Sequence, residues 1–310
     1  MTDTRADQKP PLLAACAITK GFPGVWEHLI LDHIDFDVRA GEVHTLLGEN
    51  GAGKTVIANI LSGYYAKTGG EVRVNGEVVN LLSPRDGLAR GIAMVHQELM
   101  LVPAFTVAQN VMVGLDAPAF SFEIHAVEDK LAALSARYGL QVDPRARVEN
   151  LSAGEQQRVE ILKVLYHEPK VLLLDEPTSL LTPGEADHLF IVLRAMADDG
   201  KGVVFITHKM REVFAVSDRV TVLKLGKTQG TQRISETTVE ALTRKTFGEL
   251  VPDYMPRPPT RSSENAVVLD NVVPAGTAGQ SPAAPINLAI RKGEIFGIAG
   301  VAGNGQSELI

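Results

Sequence analysis

Gly48-Glu49-Asn50-Gly51-Ala52-Gly53-Lys54-Thr55 follows the short apolar run Val43-His44-Thr45-Leu46-Leu47 and precedes Val56, Ile57, Ile60 and Leu61 at helical spacing, with Gly63 placed as a C-cap. Strand, glycine-rich turn and helix, in that order, form the context in which the pattern G-x-x-x-x-G-K-[ST] acquires chemistry. The glycines let successive backbone N–H groups turn toward an anion without Cβ clashes. Lys54 reaches the β and γ phosphates, Thr55 offers its hydroxyl to Mg²⁺, and the helix adds the positive end of its dipole. The stretch therefore reads as a site for a nucleoside triphosphate. A bare glycine turn between strand and helix explains the glycines but leaves Lys54 and Thr55 without a purpose.

The composition narrows the surroundings of this loop. With 310 residues, 45% of them hydrophobic and 22% charged, the chain has enough apolar material for one full core and part of another. A net charge of −7 argues against broad nucleic-acid binding, which needs a concentrated basic surface. One cysteine, Cys16, excludes a disulfide framework and a cysteine-based zinc cluster. Met1–Pro11 mixes acidic and basic residues and ends in two prolines, unlike the basic-then-apolar order of a signal peptide. No run approaches the roughly 18 apolar residues of a membrane span, so any membrane role is expected to be peripheral.

An internal repeat follows from the same region. Arg39-Ala40-Gly41-Glu42 stands seven residues ahead of the loop, counted from Gly41 to Gly48, and Arg291-Lys292-Gly293-Glu294 stands equally far ahead of Gly300-Val301-Ala302-Gly303-Asn304-Gly305-Gln306-Ser307. The offset from Gly41 to Gly293 is 252 residues. We expect a first domain over residues 12–248, a linker over 249–264 carrying Pro252, Pro256, Pro258 and Pro259, and the start of a second, degenerate domain over 265–310. Glu71–Val79, interrupted by Asn75-Gly76, reads as a hairpin with a type I′ turn. Helical patterns run over Ala126–Tyr138 and Glu155–His167, and Val171–Leu174 and Gly202–Ile206 read as buried strands.

Two further motifs carry chemistry. Val171-Leu172-Leu173-Leu174-Asp175-Glu176-Pro177 is a strand ending in two carboxylates, the first suited to a Mg²⁺ shell and the second to polarising a water molecule. Leu151-Ser152-Ala153-Gly154-Glu155 opens the next helix, and its S-x-x-E spacing is also that of an ordinary capping box.

Here a family resemblance becomes specific. Leu151–Glu155 resembles the LSGGQ signature of ABC ATPases, Gln97 in Val95-His96-Gln97-Glu98 matches the family's Q-loop, and His208 in Ile206-Thr207-His208-Lys209 matches its switch histidine. Ser179-Leu180-Leu181-Thr182 takes the D-loop position and Phe22 that of the adenine-stacking aromatic, with Trp26 as a rival ring. The likeness covers nearly all of Leu12–Gly248. It implies a P-loop NTPase fold: an α/β core with an antiparallel β subdomain and a helical subdomain inserted at about 98–165. Departures from the family pattern are Ala153 and Glu155 in the signature, Thr182 in the D-loop, and Gln306 where a second loop would carry lysine.

The resemblance implies that ATP binds Phe22, Gly48, Asn50, Gly51, Ala52, Gly53, Lys54 and Thr55, that Thr55, Gln97 and Asp175 hold Mg²⁺, and that Glu176, His208 and Gln97 carry catalysis. Ser152, Ala153, Gly154 and Glu155 would face the nucleotide of a second ABC domain, fused or supplied in trans. It further implies two membrane permease subunits and a solute-binding protein as partners, no nucleic acid, and a peripheral place on the cytoplasmic face of the membrane. The tandem form looks like the fused ATPases of bacterial nucleoside and simple-sugar importers. Gln156–Lys163, Leu181–Glu185 and Thr207–Lys209 are more similar to the nucleoside branch. Other readings are a sugar importer, a soluble ABC ATPase of ribosomes or DNA, and an ATP-binding fragment that does not hydrolyse. Since the first loop then needs a signature that lies beyond Ile310, the chain alone is expected to bind ATP and turn it over slowly.

Overall fold

Two strand environments divide the chain from the outset. Strand β1 (Leu13–Lys20) is followed by β2 (Leu31–Val38), whose burial alternates, and by β3 (Val43–Leu47), which is buried along its whole length. Alternation is the mark of a sheet with one open face, and uniform burial that of a central parallel strand. The chain continues through α1 (Lys54–Leu61), β4 (Gly69–Val74), β5 (Glu77–Val79), α2 (Pro84–Ala89), β6 (Ile92–Val95), α3 (Val107–Met112), α4 (Ile124–Tyr138) and α5 (Ala153–Leu165). It closes with β7 (Val171–Asp175), α6 (Pro183–Asp198), β8 (Gly202–Thr207), α7 (Met210–Val216), β9 (Arg219–Lys224), β10 (Lys227–Arg233) and α8 (Val239–Phe247). This is a computed structural model that describes residues 10–22, 29–115, 124–248, 262–273, 284–299 and 309; Trp26, the loop around Gln306 and most of the expected linker lie outside the described residues.

One sheet has the order β2-β1-β4-β5 and is antiparallel. The other has the order β10-β9-β3-β8-β7-β6, with parallel pairing from β9 to β6 and β10 antiparallel at its edge. The expected α/β core with an antiparallel sheet and inserted helices is the architecture observed. Asn75 and Gly76 both have positive φ, 51° and 86°, as the type I′ hairpin between β4 and β5 requires. Helix α5 starts at Ala153, earlier than its apolar spacing alone indicates, because Ser152 caps it. Helices α3, α4 and α5 pack Val107, Val111, Leu131, Val159 and Leu162 into one cluster with Leu172 and Leu174 of β7, which fastens the inserted helices to the parallel sheet.

The parallel register places three strand ends side by side. Leu47 pairs with Thr207 and Asp175 with Ile206, so Gly48, Glu176 and His208 leave the sheet at a common edge. Open α/β sheets bind ligands at the carboxyl ends of such strands.

Residues 251–310 form a separate unit. Within it, β11 (Asn265–Val272) pairs antiparallel with β12 (Ile286–Arg291). The Arg291 N–H donates to the Glu294 carboxylate at 2.7 Å across Gly293 at φ 74°. In the first unit the Arg39 N–H donates to Glu42 at 2.8 Å across Gly41 at φ 81°. Asn271, at φ 54°, donates to the Asn287 side chain just as Ala17, at φ 49°, donates to Asp35. The repeated sequence therefore builds a repeated bulge and turn.

A histidine sits at the centre of the parallel sheet. His44 is fully buried, with Nδ1 against the Asp37 carbonyl oxygen and Nε2 2.8 Å from the Thr221 hydroxyl. A carbonyl only accepts, so Nδ1 carries the proton and Nε2 accepts from Thr221, a pattern that the neutral ring satisfies. Burial, followed by the nearby Arg219 guanidinium, drives the His44 pKa down to about 4. Above pH 6.5 both folded and unfolded chains hold the neutral ring. As pH falls from 6.5 toward 4, only the unfolded chain takes up the proton, which removes up to about 3 kcal/mol of stability. Urea denaturation should show this loss in the native protein and a shallower pH slope over that window in His44→Gln.

Candidate nucleotide site

The loop after β3 is shaped by close backbone contact. A Cβ on Gly48 would lie 2.4 Å from the Leu223 carbonyl oxygen, and Gly51 and Gly53 hold left-handed φ values of 80° and 103°. No side chain caps α1, whose N-cap is Gly53, so its leading N–H groups are left for an anion. Lys54 is 5% exposed and donates from Nζ to the carbonyl oxygens of Gly48 at 2.9 Å and Glu49 at 3.0 Å. Its ammonium also lies 3.8 Å from the Glu176 carboxylate. Burial pushes the Lys54 pKa down, and the Glu176 and Asp175 charges oppose that.

Asp175 closes β7 and is 1% exposed. Burial raises its pKa, while a hydrogen bond from Thr55 lowers it. Its Oδ1 has no partner among the described residues. A dry carboxylate oxygen left open beside a hydroxyl is the donor set of a hard divalent cation, so Thr55 and Asp175 fit Mg²⁺.

Glu176 begins the turn after β7 with φ 46°, a left-handed conformation that glutamate rarely holds. Its N–H donates to the Ile206 carbonyl at 3.0 Å, and its Oε1 lies 2.9 Å from His208 Nδ1. Asn50, Gly51, Gly53, Lys54, Thr55, Gln97 and Glu176 line one open cleft of about 460 Å³, a volume suited to a small ligand. Ile30 and Val56 line it too. Neither carries a polar group, and no sequence signal selects them.

Other anticipated residues lie elsewhere. Phe22 is not among the cleft-lining residues; its ring meets Tyr65 edge-on at 5.6 Å and has the Lys20 ammonium 4.6 Å from its centre. Ser152–Glu155 form the N-terminus of α5, where Glu155 Oε2 accepts from both the Ser152 N–H at 2.8 Å and its hydroxyl at 2.9 Å. The capping box is thus real, and Glu155 occupies both the N–H and the hydroxyl of Ser152. Thr182, which departs from the D-loop pattern, caps α6 in the same manner with Glu185. The Glu185 carboxylate presses on Gly154, where a Cβ would lie 2.1 Å from Oε1, so the α5 and α6 caps touch.

Residues 31–179 match the model of the ABC transporter family. The chain is 41% identical over 97% of its length to a glucose import ATP-binding protein of Haloferax volcanii, of which it covers 60%. It is 39% identical over 90% of its length to a nucleoside import ATP-binding protein of Lactococcus lactis, covering 55% of it, and 40% identical over 96% to a ribose import ATP-binding protein of Streptomyces avermitilis, covering 56%. The chain thus spans little more than half the length of these relatives. Among solved structures, the ADP conformation of an ABC transporter cassette matches 76% of the chain and 94% of its own, with 23% identity and a TM-score of 0.65. A cbiONQ complex component from Clostridium perfringens matches 74% of the chain and 90% of its own, with 25% identity and a TM-score of 0.63. The first unit therefore has the fold of an ABC ATPase cassette.

The backbone contact at Gly48 yields a test of the loop. Gly48→Ala should lower stability to urea by about 1–3 kcal/mol, because the added Cβ would force the Leu223 backbone carbonyl to shift. Gly184→Ala, in the open first turn of α6, should leave it unchanged or raise it by less than about 1 kcal/mol.

Proposed function

We propose, from the place of residues 31–179 in the ABC transporter family, that this chain is the ATP-binding and ATP-hydrolysing subunit of a membrane importer of nucleosides. The observation that carries the reading is the meeting of Lys54, Thr55, Gln97 and Glu176 in one cleft, with the buried Asp175 carboxylate beside Thr55. Lys54 exchanges the Gly48 and Glu49 carbonyl oxygens for phosphate oxygens as ATP enters. Thr55, Asp175 and Gln97 would hold Mg²⁺, which would supply charge neutralisation to the phosphates. Glu176 accepts a hydrogen bond from the attacking water, and His208 fixes the other side of that carboxylate while presenting its ring to the γ-phosphate.

Closure against a second ABC domain completes each site in this reading. Glu155 must release Ser152 before the α5 N-terminus can contact the opposing nucleotide. The recurrence of the Arg39–Glu42 turn at Arg291–Glu294 supports residues 265–310 as the beginning of that domain in the same chain. Two permease subunits and a solute-binding protein complete the proposed assembly at the cytoplasmic face of the membrane. No helix of the described residues is long and apolar enough to cross a membrane. Met100, Val102 and Phe105, exposed at 55%, 41% and 39%, offer apolar surface to a permease. Nucleosides are the lead solute because Gln156–Lys163, Leu181–Glu185 and Thr207–Lys209 are more similar to the nucleoside branch. A simple sugar is the second reading, favoured by the glucose and ribose import relatives.

Titration with a fluorescent ATP analogue tests the first claim. The native chain should bind it in a Mg²⁺-dependent manner, and Lys54→Ala should weaken binding at least about tenfold, the scale of one lost charge-assisted contact. Equal binding by both proteins would sink the assignment of the loop. Uptake of labelled nucleosides and sugars by cells lacking the gene decides the solute: loss of nucleoside uptake supports the lead reading, and loss of sugar uptake alone replaces it with the second.

A further inference from the structure

A carboxylate outside the cleft ties together the segments that flank its two reacting groups. Glu212, in the first turn of α7, is 6% exposed. Its Oε1 accepts the Thr178 hydroxyl at 2.6 Å and its Oε2 accepts the Thr207 hydroxyl at 2.6 Å. Thr178 lies two residues beyond Glu176, and Thr207 immediately precedes His208; both are buried, at 2% and 1% exposure. Lys209 closes the cluster. Its Nζ lies 3.1 Å from Glu212 and donates to the Thr178 carbonyl, while its N–H donates to the Thr207 hydroxyl at 3.0 Å.

An acid at a helix N-terminus ordinarily serves the helix dipole, and it does so from solvent. Burial of Glu212 carries a desolvation cost that the dipole alone does not call for. The strained neighbour gives the reason. Glu176 keeps its left-handed φ only if the surrounding structure over-determines it. The Ile206 carbonyl holds its N–H from one side. Thr178, anchored on Glu212, holds the chain on the other.

We propose that Glu212 is a positioning residue that sets the contact between Glu176 and His208, acting through the Thr178 and Thr207 hydroxyls. The proposal rests on the reading of Glu176 and His208 as the reacting pair. The full chain, labelled with ¹⁵N-histidine, tests it through the ring-nitrogen signals of His208, with thermal melting and ATP-analogue titration on the same samples. Glu176→Gln marks where those signals lie once the contact is altered. Glu212→Gln should move them most of the way to that position, and Thr207→Val part of the way, while ATP-analogue affinity stays at the native value. A folded Glu212→Gln that leaves His208 at its native position overturns the proposal. Should Glu212→Gln fail to fold, Thr178→Val and Thr207→Val decide: native His208 signals in both overturn it, and displaced signals support it. Native protein that binds no ATP analogue, with His208 still displaced in the variants, removes the nucleotide reading and leaves the positioning role standing.

Discussion

The parallel pairing of β3, β8 and β7 is the constraint on which the site depends. Because Leu47 faces Thr207 and Asp175 faces Ile206, the residues that follow these strands emerge within reach of one another. A slip of one residue would turn every side chain of a strand to its other face, which in β3 would part His44 from Asp37 and Thr221. The 2.9 Å contact between His208 and Glu176, and the 3.8 Å approach of Lys54 to Glu176, are consequences of that register. The inserted helices contribute Gln97 at their threshold, where β6 ends and the chain leaves the sheet.

Distant ion pairs secure the frame around these strands. Arg219 at the start of β9 grips Asp37 with two hydrogen bonds, at 2.7 and 2.9 Å, and adds a third to Glu42 at 3.0 Å. Glu42 in turn receives the Arg39 N–H and thereby locks the turn into β3. Fork-like pairing of this kind is stronger and more directional than a single ion contact. The second unit keeps the Arg291–Glu294 half of the device, which explains why the sequence repeat is clearest at that turn.

What could be read in the sequence divides by the range of the interaction. Gly48, Gly51 and Gly53 are legible because each meets a local need, a close approach or a left-handed φ. Ser152 with Glu155, and the hairpin at Asn75-Gly76, are legible because their hydrogen bonds close within a few residues. The spacing of Thr182 and Glu185 is that of a third such motif. Taken as a departure from a family pattern, Thr182 looks like a loss; taken as a cap, it has a local role. Glu212 is the opposite case. Its sequence neighbours mark it as an ordinary first-turn acid, and its real partners lie 34 and 5 residues away across two strand ends. Ile30 and the Arg219 contacts are equally silent, since they depend on which strands the fold brings together.

The hydrogen bonds of Lys54 have a consequence for the kinetics of ligand capture. With its ammonium held on the Gly48 and Glu49 carbonyls, the side chain is already extended along the loop before any phosphate arrives. The rotamer freedom of a lysine, about 2 kcal/mol when fully lost, is therefore surrendered during folding and not during encounter. In the proposed function, the loop would meet its ligand as a rigid socket whose cation only trades one set of oxygens for another. Association in such a case is governed by diffusion into a cleft that is already open, and selectivity resides in how fast the wrong anion leaves.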